Sequence, residues 1–208
     1  MPIHNDDAIR RIRAHYIPRL TPGRKNYDIV NWAEPDTQCE RFRVLLRDVE
    51  LEGRRLLDIG CGLGCLATFL KDHDVAVDYT GVDLLPEMLE RAKVAYPSGR
   101  FVCGDIFDAE YSPLAGETFD VVYASGIMNL NLGNNMEFVG RSLPVLIRHA
   151  EQAAVVNFLH DRRPWGDIRY FHYRPEDVIA IARPHCSEVR LVEDYLPNDF
   201  TLVCRPGR

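Results

Sequence analysis

Residues 56–64 read Leu-Leu-Asp-Ile-Gly-Cys-Gly-Leu-Gly, and few folds are compatible with that run. Two apolar residues lead into an acid, three glycines alternate, and a second apolar segment opens at Leu66. A buried strand that ends in a glycine turn and opens a helix produces this pattern. Glycine accepts positive φ and lets backbone approach a ligand closely, so Gly60, Gly62 and Gly64 read as a ligand turn. A dinucleotide-binding turn spaces its glycines G-x-G-x-x-G and sets pyrophosphate on the helix N-terminus. Here the spacing is G-x-G-x-G, Cys65 takes the third-glycine position, and Asp58 stands just ahead of the turn. A carboxylate there repels pyrophosphate and attracts a cationic amine, which argues for a ligand with a positive end.

Three later segments continue the series: Gly81-Val82-Asp83, Cys103-Gly104-Asp105-Ile106, and Phe119-Asp120-Val121-Val122-Tyr123-Ala124-Ser125. Taken singly, each acid reads as a strand-end or turn residue, because Asp bonds its own backbone. In this order and at this spacing, the set resembles the class I S-adenosylmethionine-dependent methyltransferases. The resemblance implies S-adenosylmethionine as cofactor and S-adenosylhomocysteine as product. It implies that Asp58, Gly60, Cys61, Gly62 and Gly64 form the first cofactor loop, and that Asp83 receives both ribose hydroxyls. Asp105 takes the adenine amino group, with Asp108 as a rival close by, and Ser125 ends the strand that runs to the methyl-transfer site. Leu84, Met88 and Ile106 flank the acids and are carried with them as cofactor contacts. Trp32 and the pair Arg41-Phe42, ahead of the first motif, resemble stand-alone bacterial-type members. By position Arg41 reaches the methionine carboxylate of the cofactor; a surface salt bridge is the competing role.

The chain alternates strands with helices. An apolar stripe at Phe42, Leu45, Leu46 and Val49 predicts a helix from Gln38 to Val49. Strands are expected at Arg55–Ile59, Asp78–Asp83, Arg100–Cys103, Asp120–Ala124 and Ala153–Leu159. Helices are expected from Leu63 to Lys71, from Pro86 to the stop at Pro97, from Met136 to Ala150 and from Pro175 to Ala182. Val189–Val192 and Phe200–Cys204 are strands joined by a short polar stretch, too short for a crossover helix, so they pair antiparallel. Dinucleotide folds end on parallel strands, and a closing hairpin is what the methyltransferase fold shows. The expectation is an α/β, three-layer Rossmann-like methyltransferase fold with a mostly parallel seven-stranded sheet and an antiparallel C-terminal β-hairpin. It forms one domain overall, with residues 1–50 a helical segment covering the cleft and 51–208 the cofactor-binding core.

At 208 residues, with 46% apolar residues and a formal charge of −6, the chain has ample core material and no general electrostatic footprint for nucleic acid. It has no apolar run long enough to span a membrane and no signal-peptide hydrophobic region at the polar N-terminus. Its cysteines, at 39, 61, 65, 103, 186 and 204, show no paired zinc spacing. Free thiols in a reducing cytoplasm follow, without a metal.

Methyl transfer from a sulfonium is an in-line displacement that aligned reactants and water exclusion can drive, so no obligatory catalytic residue is legible. The acceptor pocket is expected in the loops after the fourth and fifth strands and under the N-terminal segment. Ser125, Asn129, His160 and Asp161 are the candidate catalytic groups, with His160 beside Asp161 as a proton shuttle or as a strand-end cap. Tyr27, Trp32, Asn129, His160 and Tyr170 are candidate pocket residues, and the aromatics from Trp165 to Tyr173 are lid core or pocket wall. After the fourth strand the chain lacks the Asn-Pro-Pro-Tyr pattern associated with nucleobase amines, which favours a small-molecule acceptor over nucleic acid. Other readings are a nucleotide-binding oxidoreductase, a non-catalytic cofactor-binding regulatory protein, and an RNA or protein methyltransferase.

Overall fold

The computed structural model describes residues 6–30, 34–108, 110, 112–162 and 167–207, so Trp32 and Trp165 lie outside the described residues. Three helices come first: α1 (Asp6–Tyr16), the single turn α2 (Asn26–Ile29) and α3 (Pro35–Asp48). Then follow β1 (Arg54–Ile59), α4 (Cys65–Asp72), β2 (Val77–Asp83), α5 (Pro86–Ala95), β3 (Arg100–Cys103) and β4 (Phe119–Ala124). The chain closes with α6 (Asn135–His149), β5 (Ala150–Leu159), α7 (Pro175–Ala182), β6 (Cys186–Val192) and β7 (Asp199–Pro206). The strands form one sheet in the order β3-β2-β1-β4-β5-β7-β6. Strands β1 to β5 pair in parallel, and β7 enters antiparallel between β5 and β6. The mostly parallel seven-stranded sheet and its terminal hairpin match the expected fold.

Alternation along the central strands builds the layers, because successive strand residues point to opposite faces. Leu57, Val122 and Val156 face α6 and α7, in a cluster with Phe138, Leu143, Leu146 and Val178. Leu56, Val121, Tyr123 and Val155 face the other way, against Phe42, Val44 and Leu45 of α3 and Leu66, Phe69 and Leu70 of α4. Burial of each such side chain is worth about 1.5–3 kcal/mol. Four element starts differ by two or more residues from the sequence expectation, for local reasons. Helix α3 begins at Pro35, three residues early, because proline suits the first turn of a helix. Helix α4 begins at Cys65, two residues late, because backbone at Gly60, Gly62 and Gly64 is left-handed. Strand β5 begins at Ala150, where the pairing with β4 shifts register. Strand β6 starts at Cys186, directly after a short 3-10 turn.

The two ends of the chain meet through one buried ion pair. Arg41 on α3 donates from Nε and Nη2 to the two carboxylate oxygens of Asp199, at 2.7 and 2.9 Å, and also donates to the Thr37 carbonyl. Asn157 of β5 donates to the same carboxylate and to the Tyr195 hydroxyl, both at 2.9 Å. Both members of the pair are almost fully buried. Removing one partner of such a pair strands a charge in the interior and costs about 3–5 kcal/mol, whereas replacing both is close to neutral. Urea unfolding of Arg41→Met should therefore show a loss of that size, and Arg41→Met combined with Asp199→Leu should recover more than half of it. Additive losses in the double variant would show that the two side chains act separately.

Candidate active site

The carboxyl ends of β1, β2, β3 and β4 converge on one cavity, as strand ends do where the order of a sheet reverses. Its empty space is about 1150 Å³, open solvent at the mouth included. Asp58, Gly60, Cys61 and Gly62 line it from the first loop, Asp83, Leu84 and Met88 from the second, Asp105 and Ile106 from the third, and Ser125 from the fourth. These ten are residues that the resemblance groups together, and the fold brings them onto one wall.

The first two loops are fastened by one side chain. Asp83 accepts the Gly62 amide on Oδ2 and the Leu85 amide on Oδ1, both at 2.9 Å. Val82 carbonyl accepts the Gly60 and Cys61 amides at 2.8 and 3.0 Å, so the glycine turn is laid over the end of β2. Gly60 has φ +71°, and a Cβ there would run into the Ile127 side chain. Gly62 has φ +53° and open space on its cavity side, where a Cβ would find Val30 Cγ1 as its nearest neighbour, 3.6 Å away. A loop of this kind presents bare backbone to a ligand.

Two acids are held in an environment that disfavours their charge. Asp58 is 5% exposed and accepts a 2.6 Å hydrogen bond from the Tyr79 hydroxyl. Burial raises its carboxyl to about 7, and burial raises Asp83 to about 6 despite its amide bonds. A cation arriving beside Asp58 restores the charged form. Burial also pushes up the thiols of Cys61 and Cys65, the latter to about 11, so both line the cavity as neutral groups. Asp105 accepts the Phe107 amide at 2.9 Å and lines the cavity. Its rival Asp108 accepts the Glu110 amide and lies off the wall.

Several expected site residues stand elsewhere. Gly64 is turned from the cavity toward Ala92 and Phe101, where a Cβ would meet them at 3.2 and 3.6 Å, so it serves the packing of α4 on its neighbours. The guanidinium of Arg41 is taken by Asp199 and does not line the cavity. The competing salt-bridge role is the one it fills, in the interior rather than at the surface. His160 also stands off the wall: Glu193 Oε1 lies 2.9 Å from Nε2, and Asp161 Oδ1 and the Arg162 amide lie 3.0 and 3.1 Å from Nδ1. With both ring nitrogens engaged between β5 and the hairpin turn, His160 and Asp161 form a strand-end tie, not a shuttle facing the cavity. Asn129 is buried with its side-chain oxygen unpaired, and it too is absent from the lining. Tyr27 carries the Lys25 ammonium over its ring and stays outside the cavity. Tyr170 pairs with Leu130 through a β-bridge and meets His15 edge-on at 6.1 Å, as part of the segment clasping the loop after β4. Tyr173 donates to the Met128 carbonyl at 2.7 Å in the core of that segment.

Other wall residues escaped sequence reading. Ile12 and Tyr16 of α1 reach the cavity, and their i, i+4 spacing was a signal available in the sequence. Gln38 and Phe42 of α3, Phe107, and Ile127, Leu130 and Leu132 after β4 complete much of the rest. Tyr123 lines it as well, although its place inside a strand reads as ordinary core. Among the described residues no cluster of His, Cys, Asp and Glu could hold a metal ion, and no helix is long and apolar enough to cross a membrane.

The raised carboxyls make stability depend on pH. A native carboxyl with a raised pKa holds its proton where the unfolded chain has lost it, so its contribution is complete below about pH 4. It is lost as pH rises through about 6 for Asp83 and about 7 for Asp58. Urea midpoints of the ligand-free protein should fall between pH 5 and pH 8, and Asp58→Asn should remove most of the fall above pH 6. An Asp58→Asn profile parallel to wild type would show that Asp58 titrates normally.

The wall suits a nucleoside with a cationic amino-acid end: three acids at strand ends, a bare glycine turn and a pair of buried hydroxyls at Tyr123 and Ser125. A model of the methyltransferase domain family matches residues 56–146, the stretch from β1 through most of α6. Rv1506c of Mycobacterium tuberculosis, by name a methyltransferase, is 37% identical over 159 residues, covering 71% of this chain and 90% of that protein. The phthiotriol/phenolphthiotriol dimycocerosates methyltransferase of Mycobacterium leprae is 32% identical, with 85% of this chain spanning 65% of that longer protein. Among solved structures, the magnesium protoporphyrin IX methyltransferase of Synechocystis PCC 6803 with bound S-adenosylmethionine superposes with a TM-score of 0.66 at 15% identity, covering 98% of each chain. Fold, cavity chemistry and sequence relatives agree that this chain belongs to the class I S-adenosylmethionine-dependent methyltransferases.

Proposed function

We propose that this methyltransferase acts on a small, uncharged and largely apolar acceptor. The observation that carries the reading is the make-up of the wall away from the acids. Helix α1 contributes Ile12 and Tyr16, and the loop after β4 contributes Ile127, Leu130 and Leu132, with Val30 beside them. No Lys, Arg or His is among the described residues that line the cavity. A polyanion needs several converging cations, and its binding falls steeply with salt. Two relatives in fold or sequence are named for small-molecule acceptors, a porphyrin and the phthiotriol dimycocerosates, which supports the same class here.

In this reading Asp83 accepts the ribose hydroxyls, Asp105 the adenine amino group, and Asp58 pairs with the cofactor's ammonium. Gly60, Cys61 and Gly62 lie against the methionine portion, with Leu84, Met88 and Ile106 packing the nucleoside. The bound cofactor supplies an activated methyl group whose departure neutralises its own sulfonium. The chain's contribution is alignment and dryness: apolar side chains after β4 and on α1 hold an acceptor in line and exclude water. The N-terminal segment, residues 1–50, acts as the cover of the cleft through α1.

Transfer of labelled methyl groups to a panel of apolar alcohols, phenols and amines, with RNA, DNA and protein alongside, tests the acceptor class. Label should enter the small-molecule fraction and be insensitive to salt; label in nucleic acid that modest salt suppresses would overturn it. For the cofactor, Asp83→Asn should weaken S-adenosylhomocysteine binding at least tenfold in calorimetry, since a hydrogen bond to a charged group is worth roughly 1.5–3 kcal/mol. Unchanged affinity would defeat the ribose assignment.

A further inference from the structure

The cavity wall holds two hydroxyls that have no partner beyond each other. Those of Tyr123 and Ser125 are both buried and lie within reach of one another, and neither bonds any other described group. A bond between them uses one of their two protons, and nearly all buried polar groups in folded proteins are fully paired, so the donor left over marks a place where a ligand completes the bonding. Tyr123 is the penultimate residue of β4 and Ser125 directly follows its last residue, Ala124, so both stand at the carboxyl end of the strand. Tyr123 is 1% exposed and is held edge-on by Phe42 at 6.2 Å, which fixes where its hydroxyl lies. Its register partner on β1 is Asp58, and the Asp58 carboxylate is close enough to act on the hydroxyl electrostatically.

The charges of the cofactor's amino-acid end decide what these hydroxyls do. That end carries an ammonium and a carboxylate, and Asp58 complements only the ammonium. The carboxylate requires donors. A guanidinium would serve, but Arg41 has its fork on Asp199 and is not part of the wall. Gln38 and Tyr16 bring donors from α3 and α1, whereas the pair of hydroxyls comes from β4 and the residue after it, on the strand paired with that of Asp58. We infer that Tyr123 and Ser125 form an uncharged receptor for the α-carboxylate of the cofactor's methionine moiety, next to the hold of Asp58 on the ammonium. The inference rests on the assignment of this cavity to S-adenosylmethionine. Burial keeps the Tyr123 phenol protonated across the physiological range, so it remains a donor. Ser125 rotates freely enough to donate as well.

Two ligands that differ in the amino-acid end test this by calorimetry. S-adenosylhomocysteine carries the ammonium and carboxylate, and 5′-methylthioadenosine carries neither. Tyr123→Phe and Ser125→Ala should each weaken S-adenosylhomocysteine by roughly ten- to hundredfold, the usual effect of losing a hydrogen bond to a charged group. Methylthioadenosine affinity should change less than twofold. Because Phe keeps the ring and removes a hydroxyl with no partner beyond Ser125, ligand-free Tyr123→Phe should melt close to the wild-type midpoint. Unchanged S-adenosylhomocysteine affinity in both variants, equal losses for the two ligands, or a markedly lower melting midpoint for Tyr123→Phe would each overturn the inference. Wild-type protein that binds methylthioadenosine but not S-adenosylhomocysteine would do the same. Failure of wild type to bind either ligand would instead overturn the cofactor assignment beneath it.

Discussion

The site depends on the way Asp83 is shared between two loops. Its carboxylate accepts an amide from the glycine turn and another from its own loop, and so fixes the distance between the ends of β1 and β2 before any ligand arrives. Each loop alone would have an unpaired amide in a half-buried position, a cost comparable to a lost hydrogen bond. The bare backbone of the turn, the Ile127 contact at Gly60 and the approach of Asp58 all follow from that spacing. A ribose placed there meets a carboxylate already oriented by two donors, so little reorganisation accompanies binding.

The same acid illustrates why this cavity was legible in the sequence. Its parts are short-range: a glycine at positive φ, an acid at a strand end, an apolar run opening a helix. Local chemistry dictates such patterns, and they survive as spacings. The closing hairpin was legible for a similar reason, since Glu193–Asp199 is too short to cross the sheet. What local pattern could not reveal are partnerships between distant segments. Arg41 and Asp199 lie 158 positions apart, and nothing near Arg41 announces that its fork is spoken for. His160 beside Asp161 suggested proton chemistry because adjacency is visible; Glu193, which takes the other ring nitrogen, is 33 positions away. Tyr123 is the converse case. An aromatic in mid-strand reads as core, and only the three-dimensional wall shows that Tyr123 lines the cavity with a buried hydroxyl that has no partner beyond Ser125.

The buried pair and the wall are also physically connected. Arg41 sits on the helix that supplies Gln38 and Phe42 to the cavity, and Asp199 opens the strand inserted at the sheet's far side. The terminal hairpin therefore holds α3 in place, and α3 supports the wall beside Tyr123. A strand remote from the chemistry is thereby tied to the floor on which the cofactor's amino-acid end would lie.

Helix α1 is attached differently from everything beneath it. It carries two wall residues, Ile12 and Tyr16, which pack on Leu85 and Met88 at α5, and beyond that contact its tether is an ion pair, Arg13 with Glu87 at 2.5 Å, between half-exposed side chains. Exposed pairs of this kind hold weakly, and substitutions among them leave a fold almost unchanged. The sheet, by contrast, tolerates little alteration, because its strands are packed on both faces. Selection acting on this architecture can reshape one side of the pocket by exchanging a few side chains on a single helix, while the donor-binding half stays constant. Divergence of substrate among descendants of such a chain would be recorded first in residues 6–16, and a lineage could change what it methylates without passing through an unstable ancestor.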